Sequence, residues 1–501
     1  MKNLRKTLAM VASVAMAGSV FAACGGSNSS SSSNATTTAA TTKAAETEAA
    51  APADTAAADT EAAAETEAAA ETEAAAETEA AAPAADGGSK MTVLCWNTDD
   101  INPMLKCFCE NTGHTEDEFD AHSFGVAGGQ AAETYDAYLS DPANDADIIF
   151  VEADWALKYI NDDSAETGTK PLNDIGFSDG DYTDLRPYTV EIGKSSDGVQ
   201  KGLSWQAAAG GFCYRDDLAE KYLGVTSPDE FQEKVNNWDN FLATAKEVKE
   251  ASGGKTALTA TLGGIWQVFS AGRSTPWVKD NKLELDPTAK DYITFAKTMY
   301  DEGYVIKDLA QWSTEWYSAG QTDDTMGYFV STWGFGDAIL TSAAGGEGGA
   351  TYGKWKVCVG PQAFFWGGTW MTVANRCDNP ELVKEFMSFF TTNTEGAQKY
   401  AEMQGEFVSN KKAMENVIAA GEYKGNPVLG GQNQFEVLNV VADQIDMTGA
   451  ITPYDSPVKG CFNDAVNAYC QGTNADVDAT INDWVDRVAN ALPTLDYSNF
   501  D

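Results

Sequence analysis

Carboxylate, amide and indole side chains recur directly after strand-like runs of this sequence. They lie in the segments Asn97–Asp100 and Glu152–Trp155 and in the pair Trp205 and Gln206. Carboxylates and amides exchange hydrogen bonds with a polar ligand, and an indole offers a flat face on which a ring can stack. Two carboxylates in a cleft can also act as acid and base in glycoside hydrolysis. Binding and hydrolysis both remain open at this point.

Other catalytic chemistry finds little support in the residue types. The chain has only two histidines, His114 and His122, which leaves little material for a histidine-dependent triad. They bracket the run HTEDEFDAH, whose acids could gather a metal ion, but the spacing matches no known site type. We interpret this run as a solvated loop and expect no metal and no cofactor.

The elements that must position these side chains alternate along the chain. Residues 90–96 (KMTVLCW) and 146–156 (ADIIFVEADWA) read as buried strands. Ser227 followed by Pro228 is typical of a helix start. Strands that alternate with helices of this length predict α/β units with largely parallel sheets, in which ligands bind beyond the carboxyl ends of the strands.

The start of the chain predicts a secretion signal and a tether. Residues 1–23 have a cationic beginning, an apolar stretch and small residues before Cys24, as in a secretory signal. Cys24 directly after two alanines resembles the lipobox of bacterial lipoproteins, in which the thiol is diacylated; an ordinary signal peptide is the alternative. Residues 24–89 are rich in Ala, Glu and Thr and cannot bury enough apolar surface to fold. We predict that they form a disordered acidic tether.

Composition bounds the remaining chain. Of the net charge of −42, residues 89–501 carry −34, which argues against nucleic acid as a partner, because phosphate contacts depend on Lys and Arg. About 400 residues exceed what one core usually supports, which predicts two lobes. The eight cysteines beyond Cys24 show no paired spacing, so we favour buried thiols, with a disulfide from Cys107 or Cys109 as the alternative.

Five segments, in this order, resemble the carbohydrate-type extracellular solute-binding lipoproteins of ABC transporters, the family that includes the maltose-binding protein. They are the strand ending in CWNTDD, the strand ADIIFVEADWA, and then GGFCYRDDLAEKYLG, TMGYFVSTWGFGDAI and the block that begins GPQAFFWGGTW. The resemblance covers residues 90–501. Arg215 stands where the family usually has Asn.

The resemblance implies an α/β, two-lobed periplasmic-binding-protein-like fold with a ligand cleft between lobes joined by hinge crossovers. It places the first lobe at residues 90–205 plus 361–405 and the second at 206–360 plus 406–501. It also implies a monomeric, non-enzymatic receptor that captures a sugar, most simply an oligosaccharide, and docks on the permease subunits of an ABC importer. With the lipid on Cys24, the receptor would sit at the extracytoplasmic face of the cell membrane.

Sugar recognition needs aromatic plates and planar hydrogen-bonding groups, and the family places both at strand ends and crossovers. The residues expected to bind ligand are Asp99, Asp154, Trp155, Trp205, Gln206, Trp333, Trp366, Gly367, Gly368 and Trp370. Four other tryptophans are interpreted as core, namely Trp266, Trp312, Trp316 and Trp355.

Three other functions stay open on the sequence. A secreted carbohydrate-active hydrolase would use the same aromatic and acidic residues. A receptor of the same fold could bind a peptide or polyamine in place of sugar. A surface adhesin would require repeated small modules, and none is evident beyond residue 89.

Overall fold

The computed structural model describes residues 90–97, 100–126 and 129–500. The predicted signal peptide, Cys24 and the tether lie outside the described residues, as does Asp99. Within the described residues, no helix combines the length and apolar character needed to cross a membrane.

The strands lie in two main sheets. In chain order they are β1 (Met91–Cys95), β2 (Phe119–Ser123), β3 (Ile148–Glu152), β4 (Gly202–Ser204), β5 (Ala209–Arg215), β6 (Ala257–Thr259), β7 (Val278–Lys279), β8 (Lys282–Leu283), β9 (Thr325–Ser331), β10 (Trp355–Cys358), β11 (Phe364–Phe365) and β12 (Thr369–Val373). The first sheet has the order β2-β1-β3-β12-β4 and defines the first lobe. The second sheet has the order β10-β5-β9-β6, with β11 paired to β5, and defines the second lobe.

Helices cover these sheets. They are α1 (Ile101–Asn111), α2 (Gly129–Leu139), α3 (Ala156–Ile160), α4 (Pro187–Ile192), α5 (Asp216–Leu223), α6 (Pro228–Val235), α7 (Trp238–Ala251), α8 (Leu262–Phe269), α9 (Pro287–Asp301), α10 (Thr314–Gln321), α11 (Leu340–Ala343), α12 (Pro380–Phe390), α13 (Thr394–Gln404), α14 (Lys411–Ala420), α15 (Gln434–Ala442), α16 (Asp455–Cys470) and α17 (Val477–Ala491). The helix start predicted at Ser227 is confirmed: its side chain accepts a hydrogen bond from the Glu230 amide, and Pro228 occupies the first turn.

The expectation of largely parallel sheets is wrong. In the first sheet β1 is parallel to β2 and β3, but β12 is antiparallel to β3 and β4. In the second sheet only the β6–β9 pair is parallel, while β5 is antiparallel to β9, β10 and β11. The physical reason is that β5 and β12 each begin where the chain has just passed from the other sheet. They therefore run away from the region between the lobes, whereas β3 and β9 run toward it.

The chain passes between the sheets at three neighbouring places. It leaves the first sheet after Ser204 and joins the second at Ala209, and it returns between Phe365 and Thr369. A third segment runs alongside the first crossing, because the Ala207 amide donates to the Phe407 carbonyl. These crossings form the hinge region; the lobe boundaries given above stay a prediction.

The core is apolar and closely packed in both lobes. Every residue of β1, β5, β9 and β12 is buried. Trp266, Trp316 and Trp355 are at most 2% exposed, as their interpretation as core requires. The eight described cysteines are all free, with Cys95, Cys107, Cys213, Cys358 and Cys470 buried, in agreement with their interpretation as thiols.

Candidate functional site

The two sheets end toward each other at the hinge. Glu152 closes β3, Ser331 closes β9, and residues 366–368 connect β11 to β12. A cavity of about 50 Å³ lies here between elements of both lobes. Its lining includes Ala153, Asp154, Gln267, Arg273, Trp366, Gly367, Met447, Asp455 and Lys459.

Three tryptophans form a cluster at this cleft. Trp333 follows β9 through a short 3₁₀ turn, and its Nε1 donates a 2.8 Å hydrogen bond to the Trp366 carbonyl. The two rings meet edge to face, with centroids 5.0 Å apart. The Trp312 ring contacts both of them, with its centroid 6.1 Å from that of Trp333 and 5.7 Å from that of Trp366. It is 43% exposed, so the cluster offers an open indole face.

Two glycines let the backbone approach this cluster closely. Gly367 and Gly368 have φ of +65° and +97°, which L side chains rarely adopt. A Cβ on Gly367 would lie 3.1 Å from Trp333 Nε1 and 3.6 Å from Glu152 Oε1. The glycine loop therefore brings the indole cluster and the Glu152 carboxylate to one place.

Carboxylates from the first lobe meet a lysine from the second. Lys459 Nζ, on α16, lies 2.7 and 2.5 Å from the two carboxylate oxygens of Asp154. Burial, reinforced by the charge of Asp154, raises the pKa of Glu152 to about 8. Burial acts to lower the pKa of Lys459, but the charges of Asp154 and Glu152 outweigh it and raise that pKa overall. This ion pair ties the two lobes together across the cleft.

A second half-buried carboxylate lies in the hinge itself. Glu406 begins the third crossing segment, and its Oε1 has no hydrogen-bond partner within the described part of the chain. Burial, and then the neighbouring charge of Asp100, raises its pKa to about 7. A ligand that donates a hydrogen bond would satisfy this oxygen.

Arg273 and Asp455 form a further buried pair on the second-lobe side of the cavity. Arg273 Nη2 lies 3.2 Å from Asp455 Oδ2, and the guanidinium stacks on Trp277. Because Asp455 is buried, its pKa is raised despite the nearby Arg273 charge. The pair orders the start of α16, the helix that carries Lys459.

The structure brings together five of the predicted binding residues and separates four others from the cleft. Those at the cleft are Asp154, Trp333, Trp366, Gly367 and Gly368. Those held elsewhere are Trp155, Trp205, Gln206 and Trp370.

The four residues held elsewhere act in the interior. Trp205 and Trp370 are completely buried, so their rings cannot stack on a ligand in this structure. Trp155 is 7% exposed and packs against Tyr135 and Tyr159. Gln206 is buried, and its Oε1 accepts a 3.0 Å hydrogen bond from the Thr369 amide, which joins two crossing segments of the hinge.

Sequence reasoning missed several cleft residues. Trp312 is interpreted as core in the sequence, but it is 43% exposed and its ring contacts those of Trp333 and Trp366. Lys459 and Arg273 carried no local signal, because each meets its neighbours only through the folded hinge. For Glu406 alone a weak signal exists, since it stands next to the predicted crossing near Gly405.

A Gly-Xaa-Ser-Xaa-Gly sequence at residues 176–180 does not form a nucleophile elbow. Ser178 caps a short 3₁₀ helix, and its hydroxyl donates to Asp181 Oδ2 at 2.9 Å. The ring nitrogens of His114 contact Glu118 and Glu385 rather than this serine. The serine therefore stabilises a turn.

Solved structures share this fold. An extracellular solute-binding protein family 1 structure matches with a TM-score of 0.68 and 19% identity, over 81% of this chain and 100% of that one. The ABC transporter associated binding protein from B. animalis subsp. lactis, in complex with β-1,6-galactobiose, matches with a TM-score of 0.61 and 19% identity, over 80% and 97%. The galacto-N-biose-/lacto-N-biose I-binding protein of Bifidobacterium longum gives 0.60 and 14%, over 81% and 98%. These likenesses confirm the two-lobed fold.

Sequence comparison gives the family. No curated protein matches the chain. A family model described as bacterial extracellular solute-binding protein matches residues 124–427, which is more than half of the chain. Because this is a family of receptors, the prediction of a non-enzymatic protein is confirmed. A cleft between two hinged lobes, lined by indoles and closed by an ion pair, is the arrangement that such a receptor needs, and the chain belongs to the bacterial extracellular solute-binding protein family.

Proposed function

We propose that this protein is a lipid-anchored receptor that captures an oligosaccharide between its lobes and delivers it to the permease of an ABC importer. The lipid is carried by Cys24, and residues 24–89 hold the receptor away from the membrane. The lobes open to admit the sugar and close on it, with Asp154 and Lys459 meeting as they close.

The observation that carries the sugar assignment is the cluster of Trp312, Trp333 and Trp366 beside Glu152. Indole faces stack on the C–H faces of sugar rings, while carboxylates accept hydrogen bonds from hydroxyls at the ring edge. The half-exposed Trp312 ring provides such a face at the edge of the cleft. The solved structures with the same fold are described as complexes with β-1,6-galactobiose and lacto-N-biose, which supports a sugar as the ligand here.

A thermal-shift screen against a glycan panel tests the proposal, because ligand at 100 times its Kd adds about 2.7 kcal/mol of stability. The best glycan is then titrated by calorimetry into the wild type and into Trp312→Ala, for which we expect about tenfold weaker binding from the lost stacking face. Val440→Ala, at an equally exposed apolar side chain on α15, is the matched control and should bind as the wild type does. Chromatography should recover the glycan unchanged.

A cationic solute is the second candidate, favoured by the half-buried carboxylates Glu152 and Glu406. An ammonium group would pair with these carboxylates and rest on the indole faces. Spermidine and putrescine therefore belong in the same screen. Stabilisation by these amines, with none by any glycan, would replace the sugar in the proposal and keep the receptor.

A further inference from the structure

A second, larger cavity lies in the second lobe, between the start of α8, α9, the 305–311 loop and α16. Its volume is about 360 Å³, within the range of small-molecule binding sites. Its lining includes Gly263, Tyr292, Tyr300, Asp308, Leu309, Gln311, Asn463, Val466, Asn467 and Gln471. This cavity is distinct from the 50 Å³ space between the lobes.

One helix connects the two cavities. Asp455 and Lys459 of α16 line the cleft, and Asn463 and Asn467 of the same helix line the larger cavity. Residues four apart lie on one face of a helix, so these side chains form a continuous polar row. From Lys459 to Asn467 the row extends about 12 Å, at 1.5 Å per residue.

The strands place the cavity at the same edge as the cleft. Because β6 and β9 are parallel neighbours, residues 261–263 after β6 and Trp333 after β9 lie at one edge of the second sheet. Gln311 lines the cavity, and the next residue, Trp312, belongs to the indole cluster. The larger cavity and the indole cluster are therefore joined by consecutive residues of one loop.

The polar groups of the cavity are available to a ligand. The Gln311 Nε2 is buried and has no hydrogen-bond partner in the described part of the chain. Asn463 is half-buried and Asn467 exposed, so both amides can reach a bound molecule. Asp308 is held in place at φ +56° by Tyr300, whose hydroxyl donates to Oδ1 at 2.9 Å. Planar amides above tyrosine and aliphatic side chains form a surface suited to sugar rings.

We propose that this cavity is a second sugar-binding subsite, which holds the far end of an oligosaccharide whose near end stacks on the tryptophan cluster. The inference rests on the proposed function and narrows its ligand class. A row about 12 Å long reaches well beyond a single pyranose ring. A linear oligosaccharide that reaches from the tryptophan cluster into this cavity must therefore contain more than one ring.

The test uses the full chain and four ladders of linear oligosaccharides, each from two to six units. The ladders are α-1,4-gluco-, β-1,4-gluco-, β-1,4-manno- and β-1,4-xylo-oligosaccharides. Calorimetry compares the wild type with Asn463→Ala/Asn467→Ala. For a ladder that binds, we expect the wild-type affinity to rise from the two-unit to the six-unit member. The double variant should reduce that six-to-two affinity ratio about tenfold, for two lost hydrogen bonds.

Gln444→Ala, an exposed amide at the end of α15, is the control and should keep the wild-type ratio. Ligand-free melting temperatures identify variants that fold poorly. If the double variant is one of them, the six-to-two affinity ratio is measured on the single variant Asn467→Ala, whose position is exposed. Equal affinity for two and six units in the wild type, or a wild-type ratio in the variant, overturns the subsite and leaves the receptor standing. No binding of any ladder to the wild type overturns both.

Discussion

Lys459 is the second-lobe half of the ion pair that spans the cleft, and its removal should favour the open form. Nζ contacts both carboxylate oxygens of Asp154 at 2.7 Å or less, and the two side chains are 19% and 46% exposed. At this exposure, screening by water limits such a pair to about 1 kcal/mol. Lys459→Gln should therefore shift the ratio of closed to open molecules about fivefold toward the open form.

Small-angle X-ray scattering on the ligand-free protein measures this shift, and we expect a larger radius of gyration for Lys459→Gln than for the wild type. Raising the salt concentration to about 1 M should move the wild type in the same direction, because salt screens the pair. Lys297→Gln is the matched control, since its ion pair with Asp301 and its hydrogen bond to the Cys470 carbonyl both lie within the second lobe. Identical scattering from Lys459→Gln and the wild type at low salt would refute the role of this pair in closure.

Three further predictions concern pH, anchoring and packing. Burial raises the pKa of Glu152 to about 8, above its ordinary value of 4.5, so the folded protein holds a proton that the unfolded chain releases. The free energy of unfolding should thus fall as pH rises from about 5 to 8, and Glu152→Gln should flatten this slope in urea titrations; an unchanged slope would contradict it. Cys24→Ala should abolish metabolic palmitate labelling and release the protein into the medium, whereas a variant that stays on the membrane would indicate another anchor. A Cβ on Gly193 would lie 2.1 Å from the Gly202 carbonyl oxygen, so Gly193→Ala should cost about 2 kcal/mol in urea unfolding, while Gly113→Ala, with open space around it, should cost little.

Much of the fold could be predicted because local patterns determine it. The apolar runs at β1 and β3 are buried strands, and the Ser-Pro pair begins α6 where its capping chemistry requires. Strand direction was not predictable in the same way. Whether β12 runs with or against β3 depends on the side from which the chain enters the sheet, and no residue in β12 encodes the crossing that precedes it.

The tryptophans show how far residue type alone can locate a site. Trp205 follows β4 and Trp370 lies within β12, and both are fully buried. Trp333 and Trp366 follow β9 and β11, yet they are only half-buried. What separates them is the following residue. Gly334 follows Trp333 and Gly367 follows Trp366, and the chain turns there without a side chain to cover the indole. Trp205 and Trp370 continue into paired backbone, which keeps their rings inside.

The contacts across the cleft could not be predicted from the local sequence. In the sequence Lys459 resembles any lysine on an amphipathic helix, and Asp154 resembles any polar residue after a strand. Their pairing exists because the hinge brings together two lobes whose contacting residues lie far apart along the chain. The same holds for Glu406, whose pKa is raised by burial and by Asp100 once the hinge has folded. Asp154 and Lys459 lie on different lobes, so they form their ion pair only when the lobes are close together. Trp333 and Trp366, in contrast, follow apolar strands in segments that resemble the family, so both could be proposed as binding residues from the sequence, whereas the ion pair could not.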